Sequence, residues 1–93
     1  MITGNQLHAA RVLAGLSRNE AAQLSGIDPD DLSDLEGRGR AGINGRAAAL
    51  KQVMKALTRA GVEFIDSDGP GVRLRRLTDE ALPVEELTTE NDV

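Results

Sequence analysis

Residues 16–37 read LSRNEAAQLSGIDPDDLSDLEG, and they contain the signals for two short helices joined by a tight turn. The first helix begins at a capping box. The Ser17 hydroxyl can accept from the backbone N–H three residues later, while the Glu20 carboxylate reaches back to the backbone of the serine. Apolar residues follow at helical spacing, and Gly26 suits the left-handed conformation that ends many helices. We therefore expect this helix at about residues 18–25.

The second helix of this segment starts close behind that glycine. Asp28 is a favourable N-cap, and Pro29 fits the first helical position, where an N–H has no intrahelical partner to lose. Leu32 and Leu35 then lie on one face of the helix. The helix is expected at about residues 29–36, so the chain must reverse direction within three or four residues.

Two further helices flank this pair. Thr3 and Gln6 form another capping box, which predicts a helix over about residues 4–14. Asn44 is the expected N-cap of a longer helix over about residues 45–60, which has apolar residues at three- and four-residue steps. The Gly-Arg-Gly-Arg-Ala-Gly segment before this asparagine is too rich in glycine for a helix and is expected to be a mobile loop.

After residue 61 the apolar pattern changes to a two-residue period, which is typical of strands. Residues 62–66 and 72–77 favour β structure, and a turn-forming segment separates them, so a hairpin is expected. Its role is open between two alternatives. Two hairpins can pair across a two-fold axis to form a homodimer, or the hairpin can fold over the helices of its own chain. In the first case the interface would bury Val62, Phe64, Val72 and Leu74.

The charge of the chain is unevenly distributed. All eleven Lys and Arg residues lie in residues 1–77 together with nine of the fifteen Asp and Glu residues, and the other six acids follow in residues 78–93. The formal net charge of −4 therefore combines a body of +2 with an acidic segment, which we expect to be a flexible tail. A basic body is compatible with a polyanionic partner such as nucleic acid.

Several classes of function are disfavoured by what the sequence lacks. With no Cys and with His8 as its single histidine, it offers no thiol nucleophile and no evident metal site. It has no nucleotide-binding glycine motif and no nucleophile beside a base, so we expect neither an enzyme nor a cofactor. Glu36 is better interpreted as an ion-pair partner of Arg11 than as a catalytic group.

Phe64 is the only aromatic residue, which argues against stacking of single-stranded nucleic acid. Without a secretory signal or a long apolar run, a cytoplasmic protein that does not contact membranes is expected.

The layout of residues 3–60 resembles the helix-turn-helix domain of Xre/Cro-type bacterial and phage regulators. The likeness is carried by the opening Leu-Ser-Arg-Asn-Glu-Ala-Ala, the Gly-Ile turn and the closing Leu-Glu-Gly of the segment quoted above. The sequence that follows is similar to the hairpin carried by a subgroup of short regulators of this type. The resemblance implies a mainly α, four-helix, lambda-repressor-like domain at 1–61, with a C-terminal β-hairpin at 62–77 for dimerisation. The acidic segment 78–93 lies outside it.

The resemblance also implies roles for individual residues on the two central helices. Arg18 and Asn19, at the start of the first of them, would contact phosphates. A second set on the following helix would face base edges in the major groove of DNA, and it comprises Pro29, Asp30, Ser33 and Asp34. From their position in the loop and at the start of the last helix, Arg38, Arg40 and Arg46 are further candidates for phosphate contacts.

The chain departs from the family pattern on the predicted recognition helix. Related domains tend to place Arg, Gln, Ser, Thr or Lys there, whereas this sequence has aspartate at 30, 31 and 34. Asp30 and Asp31 can instead stabilise the N-terminus of their own helix. Two functions therefore remain open. One is an autoregulatory homodimeric transcriptional regulator on a palindromic operator, whose acidic tail can also bind a regulatory protein. The other is a protein-interaction module, such as an antitoxin or antiactivator, that uses the acidic helix and tail.

Overall fold

The fold is seen in a computed structural model that describes residues 1–75 of the chain, and it consists of four helices followed by an antiparallel hairpin. The elements are α1 (Gly4–Leu13), α2 (Arg18–Ser25), α3 (Pro29–Glu36), α4 (Ala47–Arg59), β1 (Val62–Ile65) and β2 (Gly71–Leu74). The predicted mainly helical fold with four helices and a C-terminal hairpin is confirmed. The end of the predicted second strand and the acidic segment 78–93 lie outside the described residues.

Local capping accounts for the starts of the first three helices. Both predicted capping boxes are present, at Thr3 with Gln6 and at Ser17 with Glu20. Asp28 caps α3, where its side chain accepts from the backbone N–H of Asp30 at 2.9 Å. These hydrogen bonds use N–H groups that would otherwise lack partners in the first turn.

The predicted start of the fourth helix is wrong. The helix begins at Ala47, and neither Asn44 nor any other side chain caps it. The physical reason is Gly45, whose φ of +79° is left-handed and cannot belong to a right-handed helix. The loop before it is also better anchored than expected, because the backbone N–H of Asn5 donates to the carbonyl of Gly39 at 2.8 Å.

The core lies where all four helices and the first strand meet. Its largest fully buried side chains are Leu7, Leu32, Leu35, Leu57, Val53 and Val62. The leucines predicted to point inward from α3 do so, at 1% and 0% exposure. Fully burying one such side chain contributes about 1.5–3 kcal/mol, so α3 is firmly attached although it has only eight residues.

The hairpin covers the helices of its own chain. Val62 pairs with Leu74, and Phe64 pairs with Val72, which places these four side chains on one face of the sheet. That face packs on α1 and α4, with Val62 fully buried and Phe64 and Val72 half-buried against the core. Of the four residues predicted for a dimer interface, these three already have partners, and Leu74 remains 39% exposed. The hairpin thus folds over the helices of its own chain, as the second alternative expects, and the homodimer of the first alternative stays a prediction.

Gln6 joins α1 to both strands. Its side-chain oxygen completes the capping box, and its side-chain nitrogen donates to the carbonyls of Ile65 and Gly71, each at 3.1 Å. The side chain is buried, so these hydrogen bonds satisfy groups that water does not reach. The orientation of the hairpin on the helices is thereby set by a polar contact as well as by apolar packing.

We expect Gly4→Ala to destabilise the domain, because α1 meets the end of α3 at this glycine. A Cβ at Gly4 would lie 2.6 Å from the carbonyl oxygen of Glu36 and 2.7 Å from both the backbone nitrogen of Gly39 and the carbonyl oxygen of Leu35. Backbone cannot rotate away as a side chain can, so a loss of about 1–3 kcal/mol in the free energy of unfolding is expected. Urea denaturation followed by circular dichroism measures it.

The matched control is Gly71→Ala, where the nearest atom to the added Cβ is 3.9 Å away. That distance is an ordinary van der Waals contact, so the control should denature close to the wild-type midpoint. Equal midpoints for the two variants would contradict the close approach at Gly4.

None of the helices within residues 1–75 has the length and apolar character needed to span a membrane.

Candidate nucleic-acid interface

The outward face of α3 carries the residues predicted to contact bases. Pro29, Asp30, Ser33 and Asp34 are all exposed, while the leucines of the same helix are buried behind them. An α-helix with its side chains is about 10–12 Å in diameter, which fits the major groove of DNA at about 12 Å wide. The helix therefore presents a continuous polar surface on a rigid support.

Two arginines pair with the aspartates of this face. Arg38 and Arg46 each donate to the same oxygen of Asp34, Oδ2, at 3.1 Å. Arg46 also approaches Asp31, with its Nη2 atom 3.1 Å from Oδ1 of that residue. All four side chains are partly exposed, so each pair is individually weak. Together they form an alternating chain of charges, which we call the α3 ion-pair cluster (Asp31, Asp34, Arg38 and Arg46).

The α3 ion-pair cluster changes the electrostatics expected from the sequence. Two of the three aspartates on the exposed face of α3 are neutralised by neighbours, so this face repels a polyanion less than its sequence indicates. The same contacts engage two of the arginines that were predicted to bind phosphate. Asp30 is exposed and forms no ion pair with any residue in the described part of the chain.

Arg40 lies apart from this cluster. It is exposed and lines a cleft of about 400 Å³ between α1 and the hairpin, together with Asn5, Pro70 and Val72. No carboxylate within residues 1–75 pairs with it. The predicted group of three loop arginines is thus divided, with two at α3 and one beside the hairpin.

A buried carboxylate joins α1, α2 and α3. Glu36, whose side chain is only 4% exposed, accepts from Arg11 through both oxygens, at 2.7 and 3.2 Å. The predicted pair of these two residues is confirmed. Arg11 also donates to the carbonyl of Leu16 at 3.1 Å, so it holds the connection between α1 and α2 in place.

Arg18 completes the charge balance around that carboxylate and still faces solvent. Its Nη2 atom lies 3.6 Å from Oε1 of Glu36, and its side chain is 46% exposed. Asn19, the next residue of α2, is exposed as well. The first turn of α2 therefore places the two predicted phosphate-contacting side chains at the surface, and one of them is oriented from behind by a buried acid.

Sequence reasoning missed the α3 ion-pair cluster. The pair of Asp34 with Arg38 has the spacing of four residues that favours contact along a helix, and this signal was available. Arg46 lies 12 residues beyond Asp34, across the loop, and no local pattern indicates that contact. Only the folded loop brings it to α3.

Other kinds of site find little support in the described residues. His8 is exposed on α1, and no group of three or more His, Asp or Glu side chains in residues 1–75 is arranged to hold a metal ion. A scan against known protein families and a search of curated proteins found no match to this chain.

Proposed function

We propose that the chain is a sequence-specific regulator of transcription that binds double-stranded DNA as a helix-turn-helix protein. The observation that carries the proposal is the α2–turn–α3 arrangement, in which α3 is anchored by buried leucines and has its whole outer face exposed. In this reading α3 enters the major groove, and Arg18 and Asn19 contact phosphates beside it. Phosphate contacts would position the domain, and contacts from α3 would select the sequence.

The α3 ion-pair cluster supports this proposal by reducing the cost of an acidic recognition helix. Each guanidinium carries five N–H donors in a planar fork, so an arginine that holds a carboxylate retains donors for a phosphate oxygen. Arg38 and Arg46 can thus bridge α3 and the DNA backbone. Binding then requires no separation of the existing pairs.

Asp34 is the residue of α3 best placed to read a base. Both of its arginine partners use Oδ2, and no hydrogen bond within residues 1–75 uses Oδ1. An aspartate oxygen can accept from the N4 amino group of cytosine, and a good contact of this kind is worth about 1–3 kcal/mol of discrimination. The two arginines orient the carboxylate for that contact.

Replacing Asp34 with alanine should relax sequence preference and tighten binding to unrelated DNA. The change removes the base-reading carboxylate and releases two guanidinium groups toward phosphates, so the ratio of specific to non-specific affinity should fall about tenfold. Fluorescence anisotropy with preferred and scrambled duplexes measures both affinities. Ser33→Ala on the same face is the control without a charge change. An unchanged ratio for Asp34→Ala would show that Asp34 does not read a base.

Dimerisation is part of the proposal, because palindromic sites match a two-fold protein with recognition helices about 34 Å apart. The apolar face of the hairpin is occupied within the chain, so a second copy would use the hairpin differently. In a two-stranded sheet, each strand has one edge whose backbone groups are not paired by the other, and such edges attract further strands. Leu74 on β2 is 39% exposed and adds apolar surface to the hairpin.

The first test is a salt titration of binding to the DNA upstream of the gene for this protein and to random DNA of equal length. A regulator of its own gene should prefer the upstream DNA by about a thousandfold, and its affinity should fall steeply with salt. Light scattering on the same samples should give twice the monomer mass of 9.9 kDa. Equal and feeble binding to both DNAs would count against autoregulation.

A second candidate function is supported by the distribution of unpaired charge. Asp30 is exposed and has no ion pair within the part of the chain that the structure describes, and two of the nearby cations are already engaged by the other aspartates. A basic protein partner could therefore bind α3 and the acidic segment 78–93, as in an antitoxin or antiactivator. Removing that segment discriminates between the two candidates. A DNA-binding protein should keep or gain DNA affinity without these six acids, whereas an inhibitor would lose its protein partner.

A further inference from the structure

Three cationic side chains of α4 form a stripe without carboxylate partners among residues 1–75. Lys51, Lys55 and Arg59 follow one another at intervals of four residues, so they lie along one side of the helix, and all three are exposed. None forms an ion pair with any residue from 1 to 75, and α4 itself contains no acid. We call these three residues the α4 stripe. It is the largest group of uncompensated positive charge in the described chain.

Apolar surface lies beside the α4 stripe. A shallow depression of about 190 Å³ between the end of α2 and α4 is lined by Leu24, Gln52, Lys55 and Arg59, among others. Leu24 is 62% exposed there. The chemistry that fits this surface is a segment in which acidic and aliphatic residues alternate, since acids would pair with the cations and an aliphatic side chain would cover the leucine.

The described chain ends next to the α4 stripe. The backbone N–H of Arg75 donates to the carbonyl of Gly61 at 2.7 Å, and its guanidinium donates to the carbonyl of Thr58 at 3.3 Å. Arg75, the last described residue, therefore lies beside the last turn of α4, where Thr58 directly precedes Arg59. Any segment that follows has immediate access to the stripe.

The sequence that follows has the composition that this surface fits. Residues 78–93 contain six acids and no Lys or Arg, and aliphatic residues separate the acidic pairs Asp79-Glu80 and Glu85-Glu86. Along α4, Lys51 and Arg59 are about 12 Å apart, at a rise of 1.5 Å per residue. An extended chain from 80 to 86 covers about 20 Å, so the two acidic pairs can reach opposite ends of the stripe.

We propose that the acidic segment 79–90 binds the α4 stripe of its own molecule. Each ion pair on this open surface is weak, but tethering gives the segment a high effective concentration, on the order of millimolar. The bound segment covers cations that would otherwise attract polyanions without regard to sequence. It thus directs any polyanionic partner away from α4. The contact requires no DNA and stands independently of the function proposed above.

A spin label on the acidic segment tests this proposal in the full chain. Because the chain has no cysteine, Thr88→Cys provides one attachment site for a nitroxide. In a ¹⁵N-labelled sample, the nitroxide should broaden the amide signals of α4 and leave those of His8 and Val12, on the exposed side of α1, sharp. The signal of Lys51 decides, because it is the end of the stripe farthest from where the segment starts. Raising the NaCl concentration to 0.5 M should reduce its broadening several-fold, because salt screens exposed charges.

The matched variants separate the stripe from general charge effects. The triple substitution Lys51→Gln, Lys55→Gln and Arg59→Gln should abolish the broadening at residue 51, whereas Arg40→Gln, which removes an unpaired cation elsewhere, should leave it unchanged. The amide spectra themselves show that each variant is folded. Broadening that is equal over the whole surface, or that survives the triple substitution, would overturn the proposal. Broadening of an unlabelled ¹⁵N chain mixed with a spin-labelled ¹⁴N chain would place the contact between molecules and would overturn it as well.

Discussion

Glu36→Ala is expected to lower the free energy of unfolding by about 3–5 kcal/mol, the largest stability effect of any charge substitution in the domain. The carboxylate is almost fully buried and pairs with Arg11, whose side chain is only 12% exposed. Removing the acid leaves a guanidinium with little access to water and without its counter-charge. Urea denaturation followed by circular dichroism at 222 nm suits the measurement, since the chain has no tryptophan.

The control for this prediction is an ion pair at the surface. Glu63 pairs with Arg73 across the hairpin, and the two side chains are 39% and 67% exposed. Glu63→Ala should cost less than about 1 kcal/mol, because water solvates the arginine that remains. If both alanine variants lose the same small amount, Glu36 does not organise the junction of α1, α2 and α3. The double variant Arg11→Met with Glu36→Leu should recover much of the lost stability, since it leaves no buried charge unpaired and Arg18, the other partner of Glu36, is 46% exposed.

For the DNA binding proposed above, Arg46→Glu is expected to have the largest effect. Arg46 pairs with both Asp31 and Asp34, so the substitution removes their shared counter-charge and places a third acid beside them. Affinity for all DNA sequences should fall about tenfold or more, and the slope of log affinity against log salt should decrease by about one for the lost phosphate contact. Anisotropy titrations at three or four salt concentrations give both quantities.

Arg73→Glu provides the matched control for Arg46→Glu. It makes the same change in net charge on an exposed hairpin residue that also has a carboxylate partner. If binding depends on the surface around α3, this variant should bind DNA close to normally. Equal losses for the two variants would show that only the total charge matters, and the role assigned to α3 would then be wrong.

Local sequence signals were sufficient for most of the secondary structure. A cap involves residues two or three positions apart, so Thr3 with Gln6 and Ser17 with Glu20 could be recognised without knowledge of the fold. The start of α4 was misjudged for an equally local reason. Asn44 is a good cap by residue type, but Gly45 takes a left-handed conformation that delays the helix.

Contacts between distant parts of the chain could not be predicted in the same way. The Gln6 side chain bonds to carbonyls 59 and 65 residues away, and this contact helps to place the hairpin on its own helices. The pairing of Arg46 with α3 depends likewise on the path of the loop. The pair of Arg11 with Glu36 was predicted, but from the general expectation that a carboxylate at the end of α3 finds an arginine of α1. Which residues are exposed on the candidate interface was therefore predictable, whereas their charge partners were not.

Sequence-specific binding of DNA is tested by selection of binding sites by the full chain from a library of random double-stranded DNA. This measurement needs no assumption about where an operator lies. If the chain is a sequence-specific regulator, one sequence motif should be enriched, arranged as two half-sites about one helical turn apart, with binding about a thousandfold tighter than to scrambled DNA. Enrichment of no motif, together with an affinity that hardly changes with salt, would contradict it and would mark the exposed face of α3 as a surface for a protein partner.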